Sequence, residues 1–379
     1  MSQAEYSPGL EGVIAGHTAI ACADQGRLLY RGYPIEYLAE QATFEEVTHL
    51  LLYGELPEPL QLQVIRAALA TYQSLAPPVA QALRLIPERV PMMDALRTLV
   101  SVAGHLDPVP GEEPEQLRQR AVYLTAQVSA LLAARHRLGR GQEPLEPRCG
   151  LSHAAQILYL LHGEVPDALP AHLLDLTMVL YAEHEFNAST FTARVIASTL
   201  SDMTSAVVGA IGALKGPLHG GANERSMAQM QRFRSAEEAR TWVRGALARK
   251  EKVMGFGHRV YKHGDHRARI LEGELRKLAA SKGAGRWMEI YDAIREPMVN
   301  EKGIHPNMDF PCGLIYYLLG LPLDLYTPLF VAARITGWCA HYIEQLGDNR
   351  LYRPLSRYVG PPERPLPAPA ARAPQGLPV

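Results

Sequence analysis

Cysteine is scarce in this 379-residue chain: four residues, Cys22, Cys149, Cys312 and Cys339, lie far apart with no CxxC or Cys/His spacing. That excludes a disulfide framework and the usual structural zinc spacings. The four thiols are expected to be reduced and mostly buried. Charge of one sign is also missing. Lys plus Arg number 38 and Asp plus Glu 39, for a net charge of −1, so nothing points to nucleic acid or an anionic membrane as partner. No apolar run reaches the roughly 18–20 residues that a membrane-spanning helix needs. The stretch Met1–Tyr6 is polar and no signal-like apolar segment follows it. The expected location is the cytoplasm.

What the chain does contain is a globular composition, 47% apolar and 20% charged. Its length predicts roughly two domains on a prior of about 150 residues each. Thr18–Tyr33, with Ile20, Cys22, Leu28 and Tyr30 around Asp24-Gln25-Gly26, reads as a small hairpin. Almost everything after it reads helical. Thr43-x-x-Glu46 is a capping box, followed by an apolar stripe that Gly54 and Pro57 end. Leu60–Tyr72 predicts a second amphipathic helix, with Leu60, Val64, Ala67 and Ala68 on its buried side. Further helices are predicted over Glu115–Leu138, Ala171–His184, Ser201–Leu214, Ala236–Lys250, His266–Ser281 and Leu329–Leu346. Strands do not alternate with helices, which excludes a parallel sheet. The segment after Gly360 is rich in Pro and Ala and is expected to be flexible. The fold class is all-α, with a minor N-terminal hairpin.

Four polar clusters interrupt this helical background. In AEHEFNASTFTAR, His184 ends an apolar stripe, and Asn187 suits the left-handed position that closes a helix. Taken alone, His184 suits a cap interacting with the helix dipole. In KGPLHGGANE, His219 sits between a Pro-Leu pair and two glycines, which suits either a plain turn or close approach to a ligand. In KVMGFGHRVYKHGDHRAR, His258 follows Gly255 and Gly257 within a locally basic stretch that includes Arg259 and Lys262. That stretch reads as a solvated loop or as a loop that holds anions. Asp265 reads as the next N-cap, which places Arg267 in a first turn, against the field that favours anions there. A compensating anion is expected. In GIHPNMDFPCG, Asp309 precedes an apolar run and suits a cap as well as a catalytic acid or base. Arg334 among apolar neighbours requires an anionic partner.

In combination the inventory points further. Several arginines fit a substrate with more than one carboxylate. A carboxylate with nearby histidines suits proton removal beside a carbonyl and stabilisation of the enol oxygen.

With these residues in place, the sequence resembles the citrate synthase family, in its shorter dimeric bacterial and archaeal form. The likeness runs from GLEGVIAGHTAI through YRGYPIEYLAE and FEEVTHLLLYGELP to YVGPPER. Its most specific pieces are HEFNASTFTAR, KGPLHGGANE, MGFGHRVYK and PNMDF. The resemblance implies a two-domain all-α homodimer with large domain 1–219 and 322–379, a mobile small domain 220–321, and a Pro/Ala-rich tail at 361–379. It implies condensation of acetyl-CoA with oxaloacetate to citrate and CoA, without metal or other cofactor. Propionyl-CoA, giving 2-methylcitrate, is the close rival, and a non-catalytic acyl-CoA or dicarboxylate sensor a more distant one. Carried over residue by residue, Asp309 matches the base, His219 the donor to the thioester oxygen and His258 the group that polarises the oxaloacetate carbonyl. His184, Arg267 and Arg334 match oxaloacetate ligands, and Arg353 the arginine that reaches the partner's site. Lys252, Val253, Met254 and Gly255 match the coenzyme A segment.

Three departures stand out. His266 replaces the family's usual Pro, Pro311-Cys312 replaces its usual Tyr-Ser, and the Pro/Ala tail replaces its partner-gripping arm.

Overall fold

The computed structural model describes residues 6–24, 27–258, 261 and 264–366. Strands β1 (Ala21–Asp24), β2 (Arg27–Tyr30) and β3 (Tyr33–Pro34) form an antiparallel sheet in sequence order. Ala21 pairs with Tyr30, and Leu29 with Pro34. The expected hairpin is thus extended by a third short strand; its turn residues Gln25 and Gly26 lie outside the described residues. Leu28 and Tyr30 alternate inward, as half-buried strands do. The Tyr30 hydroxyl donates to Glu183 O (2.9 Å), which ties the sheet to the helical body.

Among the described residues ten helices follow: α1 (Ile35–Gln41), α2 (Phe44–Tyr53), α3 (Pro59–Tyr72), α4 (Pro77–Leu85), α5 (Met92–Gly104), α6 (Pro114–Leu138), α7 (His153–His162), α8 (Ala168–Tyr181), α9 (Ala188–Ser198) and α10 (Met203–Leu214). Thr43 and Glu46 form the predicted capping box of α2. Helix α6 is buried on all sides from Ala121 to His136 and forms the spine, packed by α3, α5 and α7. On α3 the predicted face is wrong. Leu60 and Val64 are exposed, while Ile65 and Leu69 are buried. The sequence carries two overlapping apolar stripes, and packing against α6 selects the one through Ile65.

Five more helices complete a second group: α11 (Ala222–Met230), α12 (Ala236–Ala248), α13 (His266–Ser281), α14 (Gly285–Lys302) and α15 (Asp309–Leu318). They pack mainly on one another, α12 against α14, and α11 and α13 against α15. Contacts with the first group run through α1, α8 and the last helix, α16 (Tyr326–Gly347). Helix α16 is buried almost all round, beside α6 and α9. Arg334 lies well inside this helix.

After α16 the described residues, through Leu366, have no regular structure, and they are exposed from Arg353 to Leu366. The remainder of the Pro/Ala tail lies outside the described residues. Among the described residues, no helix is long and apolar enough to cross a membrane. The four cysteines are unpaired, but Cys22 and Cys149 are exposed, against the expectation that most would be buried.

Candidate active site

Helix α8 ends at Tyr181, and the loop beyond it presents His184. The helix-closing reading of Asn187 is overturned. Asn187 has φ −59° and N-caps α9, with Oδ1 accepting from Thr190 N (3.1 Å). The left-handed residue is Glu185, at φ 51°, and its carboxylate accepts from Ala23 N (2.6 Å). The side chain compensates a backbone position that most residues avoid. A buried chain braces this loop from behind. Arg194 Nη1 lies 2.9 Å from His341 Nδ1, and His341 Nε2 lies 3.0 Å from Glu183 Oε1. His184 Nε2 lies 3.0 Å from the Tyr261 hydroxyl, and its ring centroid is 5.2 Å from that of His258. Burial, then the charges of Arg267, His258 and Arg334, hold His184 well below its usual pKa. It is a neutral hydrogen-bonding ring, not a charged cap.

The turn at His219 folds back over the end of α10. Gly220 N donates to Leu214 O (2.9 Å), and a Cβ at Gly220 would meet that oxygen at 2.5 Å, so only glycine fits. His219 Nε2 accepts from Ser189 N at 3.3 Å and lies 2.8 Å from Ser189 Oγ. Ser189 Oγ in turn accepts from Trp338 Nε1 (3.1 Å) and can donate to Asn187 Oδ1 (2.8 Å). A backbone N–H can only donate, so the hydrogen-bond pattern assigns the ring proton to Nδ1. Burial, and then Arg334, push the pKa of His219 down to about 4. At neutral pH His219 is an uncharged donor with a fixed tautomer.

The glycine pair 255/257 fixes the third cluster. Gly255 (φ 83°) and Gly257 (φ 77°) let residues 255–257 bridge to 305–307. Gly257 N donates to His305 O, and Asn307 N to Gly255 O, both at 2.9 Å. A Cβ on Gly255 would meet Phe310 Cβ and Ser226 Oγ at 2.8 Å each. The bridge lays Val253–His258 alongside Asp309. Val253 is buried, Lys252 is exposed, and Met254 N donates to Gln229 Oε1 (3.2 Å). His258 Nδ1 accepts from Tyr261 N (3.2 Å), so its Nε2 carries the hydrogen. Arg259 and Lys262 lie outside the described residues.

Asp265 caps α13 as predicted and is the anion expected for Arg267. Its oxygens accept from Arg267 Nε (3.0 Å) and Nη2 (2.9 Å), and from the amides of Arg267 (3.0 Å) and Met308 (3.2 Å). Burial works against both charges. The pair still holds Asp265 below, and Arg267 above, their ordinary values. Arg334 differs: it is buried, donates Nε to Tyr181 O (2.6 Å) and lies over the Phe330 ring (4.9 Å). Among the described residues no carboxylate forms an ion pair with it, so the required protein anion is not found. Burial lowers its pKa. A buried guanidinium in this position suits an incoming carboxylate.

Asp309 is the first residue of α15 rather than its cap. Its Oδ1 accepts from the Tyr181 hydroxyl at 2.5 Å, and its amide donates to Asn307 Oδ1 at 3.1 Å. Burial raises its pKa to about 6, against the opposing pull of the Tyr181 hydrogen bond and Arg267. The carboxylate is therefore poised as a base near neutral pH. Tyr181 packs at 4.2 Å on Phe330, whose ring also lies 6.3 Å from that of His219. Asp309, His219 and Arg334 are thereby gathered around one aromatic wall.

Arg353 is not brought to this cluster. It is exposed and donates to Pro354 O (3.1 Å). Sequence reasoning missed Tyr181, Tyr261, Ser189 and Trp338. Tyr181 lies in an apolar stripe where an aromatic reads as core, and only its place three residues before His184 hints otherwise.

Residues 9–355 match the family described as "Citrate synthase, C-terminal domain". The 2-methylcitrate synthase 1 of Corynebacterium glutamicum is 43% identical over 372 residues, covering 96% of this chain and 98% of that protein. The citrate synthase of Mycolicibacterium smegmatis is 43% identical over 366 residues, covering 94% and 96%. Among solved structures, the citrate synthase of Thermoplasma acidophilum, in its ternary complex with carboxymethyl coenzyme A and oxaloacetate, superposes with a TM-score of 0.90. It is 33% identical and covers 97% of this chain and 100% of that one.

Proposed function

This chain belongs to the citrate synthase family, and on that premise we propose that its cleft condenses acetyl-CoA with oxaloacetate and water to give citrate and CoA. One observation carries the assignment of roles. A carboxyl raised to about 6, Asp309, shares an aromatic wall with a neutral imidazole, His219, whose proton sits on Nδ1. Asp309 takes a proton from the methyl group of the thioester. The Nδ1–H of His219 donates to the thioester oxygen as negative charge develops there. A neutral donor stabilises an enolate by hydrogen bonding without surrendering its own proton.

The enolate carbon then attacks the oxaloacetate carbonyl carbon, the new alkoxide takes a proton from Nε2 of His258, and the proton that Asp309 removed restores the neutral ring. His184, Arg267 and Arg334 hold the two carboxylates and orient the carbonyl. Water then cleaves the thioester of citryl-CoA and releases the free thiol. Lys252, Val253, Met254 and Gly255 line the coenzyme A path beside the base. No step is assigned to a metal or resident cofactor.

Residues 220–321 act as a mobile domain that closes over the substrates. The molecule works as a cytoplasmic homodimer in which Arg353 enters the partner's site. Supporting this reading, Arg353 lies on an extended, exposed segment that also displays Leu355, Tyr358 and Val359.

A second reading, propionyl-CoA giving 2-methylcitrate, is favoured by the relative of that name, which is as similar as the one named for citrate. One methylene in an apolar pocket is worth only about 1–3 kcal/mol. Thiol release with oxaloacetate and each acyl-CoA decides between them. Higher kcat/KM with acetyl-CoA is expected; higher kcat/KM with propionyl-CoA would install the second reading.

A further inference from the structure

Helices α11–α15 meet the first group of helices along a narrow seam. Between described residues, one ion-pair geometry crosses it: His266 Nδ1 lies 3.0 Å from Glu36 Oε1. The other pairs involving α11–α15 stay within that group, such as Arg240 with Glu296 and Arg276 with Asp292. His266 is the first residue of α13, directly before Arg267. Glu36 lies in the first turn of α1. Helix α1 packs on both α13 and α8. The pair therefore links the turn that presents Arg267 to the neighbour of the helix that leads into His184.

The local chemistry makes this contact specific. A carboxylate in the first turn of α1 is favoured by that helix's own dipole. Asp265 fixes Arg267 within its own turn, but nothing in that pairing fixes the turn relative to α1. The Glu36–His266 contact does so. A proline at position 266, as in the pattern the chain resembles, could not.

We propose that Glu36 and His266 are positioning residues, a latch that holds the first turn of α13 against α1 so that Arg267 and His184 engage the same dicarboxylate. Neither touches substrate, and the inference rests on the reading of oxaloacetate as that dicarboxylate. The His266 and Glu36 side chains are partly exposed, at 38% and 40%, so the contact is modest in strength.

The test uses Glu36→Gln, His266→Gln, the double variant and the swap Glu36→His with His266→Glu, all in the full-length protein. Oxaloacetate Kd is measured by calorimetry, alongside KM, kcat and Tm. Each single variant is expected to raise Kd and KM for oxaloacetate about two- to fivefold, with kcat and Tm nearly unchanged. The double variant should be no worse than either single, and the swap should regain part of the loss. Unchanged Kd in both singles, additive losses in the double, or losses in kcat and Tm rather than KM would overturn the latch. If the wild type itself does not bind oxaloacetate, the functional reading falls and takes the latch with it.

Discussion

At the residue scale, chemistry turns on how burial sets protonation. Asp309 is raised to about 6 mainly by burial, and the Tyr181 hydrogen bond pulls it back. Removing that bond should raise the carboxyl further. Because the base works ionised, the acidic limb of the pH–rate profile should move upward in Tyr181→Phe, with activity at about pH 6 falling more than at about pH 8. A shift of about half a unit or more is expected from the loss of one hydrogen bond to a charged group; an unmoved or lowered limb would mean that Tyr181 does not tune the base. His219, His258 and Asp309 are legible in the sequence because they interrupt helical patterns in glycine or proline turns, and His184 because it ends an apolar stripe. Tyr181 and Trp338 are not, since a polar tip on an aromatic ring leaves no trace in a hydrophobic stripe.

At the scale of elements, helix periodicity is readable wherever one stripe dominates. The sequence predicts α13 at His266–Ser281, and the structure has it there. The buried face of α3 is misplaced by the same reasoning, because two stripes compete and only α6 decides. Asn187 is misread because a short amide serves a helix end or a helix start equally well. The bridge between 255–257 and 305–307 leaves no sequence signal, since it joins segments about fifty residues apart. Gly255→Ala tests its importance. The substitution forces a side chain into a left-handed position and against Phe310, at a cost on the order of 1–3 kcal/mol. A lowered Tm together with a reduced kcat is expected, because the bridge sets the position of Asp309. A normal Tm and kcat would show that the bridge yields without consequence.

At the scale of the whole molecule, composition and the four polar clusters indicate an all-α protein with an acid–base site, and the resemblance supplies the family. What a single chain cannot display is the contribution of a partner. The exposed position of Arg353 gives the dimer proposal a direct check. Arg353→Ala and Asp309→Asn should each be nearly inactive alone. Unfolded and refolded together, they should form heterodimers with one intact site, regaining up to about a quarter of wild-type activity. No recovery, with heterodimers demonstrably formed, would place Arg353 in its own subunit's site or in none.

The central claim is that Asp309 is the base of an oxaloacetate-dependent condensation. The measurement that tests it most directly is thiol release from acetyl-CoA as a function of oxaloacetate, for the wild type and Asp309→Asn. The account predicts saturable, oxaloacetate-dependent release by the wild type. For the variant it predicts a loss of at least about a hundredfold in kcat, with oxaloacetate still bound. Release that ignores oxaloacetate, or a variant that turns over as fast as the wild type, would contradict it.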